Sequence, residues 1–276
     1  MIYSMAVEKL CSHRGRAIHS TACTFWGGQM NVVLPEPMSV SIYRYGFIEE
    51  GLTWTFLSLI QPGMSVFDVG AHFGYFSLLA ARLVGQTGAV HSFEPTPSTF
   101  QVLRSNVGSL PNVTLNNCAV FSRDSQMQFE DFGVEFSAFN SLRGGRLDPS
   151  MREQLTPTTC AVQAIALDWY IRKLGKVPDL IKIGAENAEH DILLGLNGTL
   201  AAEKRPMITL EVGEDVLQKG QSANTISYLL DRGYHAFQYD AQTESLREHK
   251  LQSVYGYDNL LMVPAERRDG LQLNSS

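Results

Sequence analysis

The sequence predicts an α/β fold, a parallel sheet with helices on both faces, and three observations carry that prediction. Strand-like apolar runs alternate with helix-like runs along most of the 276 residues. The segment Phe67 to Ser77, FDVGAHFGYFS, reads as a buried strand that ends in an acid and a glycine turn and then opens a helix. The next strand, Ala89 to Phe93, ends in a second acid, Glu94.

Met1 to about Leu34 stands outside the alternation, and with Trp26, Gly27 and Gly28 it is expected to form a short helix and strand covering the mouth of the fold. Ser41 to Gly51, SIYRYGFIEEG, leads into a helix over Leu52 to Ile60 that Pro62 and Gly63 end. Val66, Phe67 and Val69 suit a buried strand, and Tyr75 to Val84 is long and apolar enough to pack over it as a helix. Phe121 to Thr159 is irregular, with Gly144, Gly145, Pro149 and Pro157, and an insertion of this kind makes either a lid or an extra hairpin over a site. Its Phe129, Phe132, Phe136 and Phe139 are expected to pack the segment onto its own domain rather than to line a pocket. Leu180 to Ile183 is the next strand of the sheet.

Composition narrows the class. With 44% hydrophobic and 18% charged residues the chain can bury a substantial core. No apolar run approaches the ~18 residues that span a bilayer. Glu8, Lys9, His13, Arg14 and Arg16 interrupt the N-terminus, which therefore lacks the uninterrupted apolar core of a signal peptide, and a cytoplasmic location is expected. Cys11, Cys23, Cys118 and Cys160 show no C-x-x-C pairing, so they read as ordinary thiols rather than a disulfide framework or a structural zinc site. The N-x-T sequons at Asn112 and Asn197 are read as chance in such a chain. The net charge is -6 with no basic run, so neither nucleic acid nor membrane is expected as a partner. Self-association into a homo-oligomer is left open.

The glycine turn calls for a ligand. Gly70 and Gly74 permit backbone angles closed to other residues, and free amides at a helix start favour an anion, a phosphate or a carboxylate. A dinucleotide fingerprint needs G-x-G-x-x-G, but His72 fills the position of the middle glycine. Glu94 can accept hydrogen bonds from both hydroxyls of a ribose. A ribose together with a small zwitterion points to S-adenosylmethionine.

FDVGAHFGYFS, then HSFEPTPSTFQVLRSNV at His91 to Val107 and NNCAV at Asn116 to Val120, together resemble a methyltransferase of the FkbM type. ALDWYI at Ala166, DLIKIGAENAEHDILLGL at Asp179, ITLEV at Ile208 and YDNLLMVP at Tyr257 follow in that family's order, so the resemblance covers about Ile42 to Pro264. It implies the class I methyltransferase fold: a doubly wound, mostly parallel seven-stranded sheet whose last strand, near Asn259 to Val263, is antiparallel. It also implies a division into an N-terminal extension or cap (1–50), a methyltransferase domain (51–264) and a C-terminal tail (265–276). The cofactor set carried over is Asp68, Gly70, Ala71, His72, Phe73, Gly74, Glu94 and Pro95, with Cys118 and Ala119 against the adenine. A tyrosine and an acid of the approach segment, Tyr45 and Glu49 (or Glu50), reach the methionine end.

On the acceptor side the chain departs from the family. The pattern K-x-D-x-E-G-x-E becomes Lys182, Gly184, Glu186, Asn187 and Glu189, so an acid is missing at 184 and a glycine at 187. Candidates for the proton-handling group are His72, Lys182, Glu186 and Glu211, with His72 expected to act more through its backbone than as a base. Glu186, Glu189 and His190 suggest a metal, but acids at a helix start are favoured by the dipole alone, so none is assigned. The expected function is S-adenosylmethionine-dependent methyl transfer to a small molecule, most readily a hydroxyl of a secondary metabolite or sugar. N-methylation of an amine and a catalytically silent cofactor-binding homologue stand as alternatives.

Overall fold

A computed structural model describes residues 17–139, 157–185, 187–213 and 221–270. Its centre is an eight-stranded sheet in the order β12-β11-β13-β10-β9-β3-β4-β5. The parallel strands are β3 (Ser65–Val69), β4 (Ala89–Phe93), β5 (Val113–Asn116), β9 (Leu180–Ile183) and β10 (Met207–Val212). β13 (Asp258–Pro264) pairs antiparallel with β10 and with β11 (Tyr234–Asp240). These are the seven strands expected. The eighth, β12 (Ser245–Glu248), is the short return arm of a hairpin on β11.

Every residue of β3 and β9 is buried, the signature of parallel strands covered on both faces. Alternation along the strands divides the core in two. Val66, Val90 and Leu180 face α2 (Glu50–Leu59) and α3 (Tyr75–Val84), while Phe67, Val69, Phe93, Ile181 and Ile183 face the opposite layer. That second layer is α5 (Leu167–Leu174), α6 (Glu189–Leu194), α7 (Asn197–Leu200) and α8 (Ser222–Leu230), which contribute Leu167, Ile192, Leu200 and Ile226. The fold is therefore α/β and doubly wound. α4 (Pro97–Val107) joins β4 to β5.

Two additions cover the carboxyl ends of the strands. Of the N-terminal segment, the described residues form an antiparallel hairpin, β1 (Ile18–Cys23) and β2 (Gln29–Leu34); the helix expected beside a strand would fall on residues 1–16, which lie outside the described residues. The alternating exposed and buried residues of QMNVVL fit a strand, and Gly27, at φ 81, makes the turn. A helix, α1 (Pro37–Tyr45), follows; the Glu36 carboxylate caps it by accepting the amides of Met38 and Ser39 at 3.0 and 2.6 Å. The described residues of the insertion after β6 (Ala119–Val120) form an extra hairpin-like unit; residues 140–156 lie outside them. β7 (Ser125–Asp131) pairs antiparallel with β8 (Thr158–Ile165), and β8 pairs parallel with β6. Among the described residues no helix is long and apolar enough to cross a membrane.

Candidate functional site

The glycine turn after β3 is built for close approach. Gly70 has φ +72, and a Cβ there would lie 1.8 Å from the Gly184 carbonyl oxygen, so only glycine lets β3 and β9 meet at this end. Gly74, at φ +93, begins α3, where a Cβ would lie 2.7 Å from Leu103. Four of the turn's amides are engaged within the fold. Gly70 and Ala71 both donate to the Phe93 carbonyl at 3.0 Å, Gly74 donates to Ala71, and His72 donates to Glu94 Oε2 at 3.0 Å. Phe93 and Glu94, at the end of β4, thus take the first three donors of the turn.

Beneath the turn Asp68 is fully buried and meets Lys182 Nζ at 3.2 Å. The two residues stand opposite each other in the parallel register of β3 and β9. Ser77 donates to the other carboxylate oxygen of Asp68 at 2.6 Å, and Lys182 also donates to the Gly70 carbonyl at 2.7 Å. Burial alone would lower the Lys182 pKa, but Asp68, then Glu49 and Glu211, outweigh it and hold it above the usual lysine value. Lys182 therefore stays a cation and is no base at neutral pH.

Above this pair lies one cavity of about 1070 Å³, part of it open to solvent, at the carboxyl ends of β3, β4, β9 and β10. Ligands collect at this position in open α/β sheets. Of the residues singled out from sequence, it gathers Glu49, Gly70, Ala71, His72, Phe73, Glu94, Pro95, Cys118, Ala119, Lys182 and Glu211. Asp68 and Gly74 are not in its wall; the first sits under Lys182 and the second starts α3. Tyr45 is a correction: it is 63% exposed, packs near Phe47 and does not line the cavity, because it ends α1 on the outer side. Glu186 lies outside the described residues.

The acids differ by environment. Glu94 accepts the His72 and Thr96 amides, one on each oxygen, yet burial outweighs those bonds and pushes its pKa up to about 7. Glu49 is pushed up to about 7 by burial and then by Glu211, although Asn259 donates to it at 2.8 Å. His72 is depressed by burial. The Cys118 thiol, raised to about 11 by burial, stays protonated and serves as apolar wall. At the acceptor-side position Gly184, a Cβ would lie 3.0 Å from Glu211 Oε2 and 3.3 Å from Lys182 Nζ. The space left by the missing acid is thus bordered by both side chains.

Several lining residues were not anticipated. Met30, Met38, Ser39 and Ile42, from β2 and α1, make the far wall, and Ser137 comes from the insertion. Phe129 both packs against Ala119, Val162 and Ala164 and lines the cavity. Asn106 on α4 fastens the hairpin here: its Oδ1 accepts from Asn31 N at 2.7 Å, and its Nδ2 donates to the carbonyls of Asn31 and Phe73 at 2.9 and 2.8 Å. No sequence motif marks these positions, since each acts through a distant partner.

The profile of the methyltransferase FkbM domain matches residues 68–236, more than half of the chain. The chain belongs to the FkbM methyltransferase family, and S-adenosylmethionine is the cofactor that membership assigns to it. Over 239 residues it is 26% identical to the AMB antimetabolite synthetase AmbE of Pseudomonas aeruginosa, a match covering 75% of this chain and 11% of that protein. Over 47 residues it is 49% identical to the 31-O-demethyl-FK506 methyltransferase FkbM of Streptomyces tacrolimicus, covering 17% of this chain and 18% of that protein. The matches thus span a small part of either curated relative. Among solved structures, fibrillarin of Aeropyrum pernix with natively bound S-adenosyl-L-methionine gives a TM-score of 0.45 at 9% identity, covering 90% of this chain and 98% of that one. An O-methyltransferase of Thermotoga maritima gives 0.40 at 13% identity, covering 89% and 77%.

Proposed function

We propose that this protein transfers a methyl group from S-adenosylmethionine to a small molecule, O-methylating a hydroxyl of a secondary metabolite or sugar. The observation that carries the reading is the cavity itself, which joins the family's cofactor motif to an acceptor-sized space. Its wall holds three acids, Glu49, Glu94 and Glu211, and the lysine among them is already neutralised by Asp68. That excess of negative charge fits a cofactor carrying a sulfonium and an ammonium. When bound, S-adenosylmethionine supplies an activated methyl carbon.

The chain's own residues have the remaining tasks. Glu94 is placed for the ribose hydroxyls, its oxygens fixed by the His72 and Thr96 amides. Cys118 and Ala119 are assigned to the adenine wall and Glu49 to the methionine end. For the acceptor, alignment matters more than strong acid–base chemistry. Lys182 remains protonated and His72 Nε2 is engaged with Ser137 at 2.7 Å, so Glu211, on the acceptor side beside Gly184, is the group assigned to receive the hydroxyl proton. The division into residues 1–50, 51–264 and 265–276 belongs to the same proposal, with the first part supplying the far wall through Met30, Met38 and Ile42.

The replacement of the family acid by Gly184 favours a second reading, a cofactor-binding but silent homologue. Methyl-labelled cofactor, offered with hydroxyl-bearing and amine-bearing acceptors, separates the readings. Label on a hydroxyl supports O-methylation, and label only on an amine replaces it with N-methylation. A wild type that labels nothing while Gly184→Asp becomes active establishes the silent reading.

A further inference from the structure

The insertion carries a residue that reaches the cofactor motif. After β7 the chain makes a 3-10 turn, Val134–Phe139, that packs against α4 and β2. Three hydrogen bonds fix its approach: Ser98 Oγ to Asp131 Oδ2 at 2.9 Å, Gly133 N to Asp131 Oδ1 at 2.8 Å, and Ala17 N to Glu135 Oε1 at 3.0 Å. Val134 packs against the main core. Ser137, only 5% exposed, then lines the cavity with its hydroxyl 2.7 Å from His72 Nε2.

The hydrogen bonds define the direction of this contact. Ser137 donates to the Val134 carbonyl at 3.0 Å, which uses its one hydroxyl hydrogen. His72 must therefore donate from Nε2 to Ser137 Oγ. The imidazole is also stacked on Phe73, with ring centroids 4.0 Å apart, so it is held on a face and at one nitrogen. This fixation matters for the backbone. His72 stands at φ 51, a left-handed conformation that a non-glycine residue keeps only when its surroundings enforce it. In that conformation its amide meets Glu94 Oε2 at 3.0 Å. A continuous path thus runs from Ser137 through the His72 side chain and amide to the carboxylate assigned to the ribose.

We infer that Ser137 is a positioning residue for the nucleoside end of the cofactor: through His72 it aims the Glu94 carboxylate, so that cofactor retention depends on an insertion 65 residues beyond the glycine turn. The inference rests on the cofactor reading above. It also gives His72 a task other than proton transfer.

The test uses S-adenosylhomocysteine as the probe, with affinity measured by calorimetry, dissociation by stopped flow, and the melting temperature of the ligand-free protein in parallel. Ser137→Ala should weaken binding roughly 3- to 10-fold, the loss of one hydrogen bond, chiefly through faster dissociation. Ser137→Thr, which keeps the hydroxyl, should restore affinity to within about twofold. The decisive variant is the pair with Glu94→Gln: once the carboxylate is gone, Ser137→Ala should cost little more, because the two act in series. Equal affinity of Ser137→Ala and wild type, full additivity with Glu94→Gln, or a lowered melting temperature with unchanged affinity overturns the inference. A wild type that does not bind the probe at all overturns the cofactor reading, and this inference with it.

Discussion

Two carboxyls, the buried Glu94 and the half-buried Glu49, should make the ligand-free protein lose stability as pH rises, and Glu49 allows that loss to be measured. Its pKa moves from the usual 4.5 to about 7 in the folded chain, because burial and then Glu211 disfavour the ionised form. The sign follows from comparing the two states. Below about 4.5 the carboxyl is protonated folded and unfolded, so it adds no penalty. Between 4.5 and about 7 the unfolded chain ionises first, and the fold loses stability until the native carboxyl ionises too. A displacement of that size corresponds to about 3 kcal/mol, and water reaching Glu49 through the cavity reduces it to roughly 2. Glu49→Gln removes the titration while its carbonyl oxygen can still accept from Asn259, the present partner at 2.8 Å. Urea denaturation at pH 5 and pH 8 should therefore show the wild type losing about 2 kcal/mol more than the variant. Glu94 shifts in the same direction but titrates in both proteins, so the difference isolates Glu49. Parallel losses in the two proteins would refute the reasoning. A cation near Glu49 should lower its pKa again, so cofactor binding at pH 7 should release a fraction of a proton, visible as a buffer-dependent binding enthalpy that Glu49→Gln reduces.

Glu94→Ala should weaken S-adenosylmethionine binding by about 1–3 kcal/mol in calorimetry, the loss of hydrogen bonds to a charged acceptor, and unchanged affinity would remove Glu94 from the ribose site. Ala119→Trp, in protein shown by circular dichroism to be folded, should abolish measurable cofactor binding if Ala119 faces the adenine. Gly70→Ala should destabilise the fold by 3 kcal/mol or more, on the order expected for a severe clash together with left-handed strain, because its Cβ would lie 1.8 Å from the Gly184 carbonyl. A melting temperature within a degree or two of wild type would contradict that geometry.

How far the sequence could be read depended on the range of the signal. The helix Tyr75–Val84 and the strands Ala89–Phe93 and Leu180–Ile183 occupy the limits their apolar patterns suggest, because burial on both faces writes a continuous local signal. The pairing of Ile18–Cys23 with Gln29–Leu34 was not legible, because Gly27 and Gly28 mark a turn without saying what it joins. Proximity of Lys182 to Asp68 follows from strand register, and sequence alone set both at the same sheet edge without pairing them. Tyr45 was carried over from the family's approach segment, whereas here it stands exposed at the end of α1. The far wall of Met30, Met38 and Ile42, the Ser137 contact and the Asn259 bond to Glu49 join segments far apart in the chain. Such contacts leave no periodic trace.

Asn106 has a mechanical consequence. One amide side chain grips β2 through both the N–H and the carbonyl of Asn31 and, with the same nitrogen, holds the carbonyl of Phe73 in the cofactor turn. Hairpin, α4 and turn therefore form a single lever. With cofactor and acceptor seated as proposed, an acceptor that pushes on the hairpin from inside would pull on the segment beside the nucleoside, and loosening the wall to admit a bulkier acceptor would slacken the turn as well. Substitutions at Met30 or Met38 alter the wall without touching this rivet, so the acceptor space can be recut while the cofactor's seat keeps its tension.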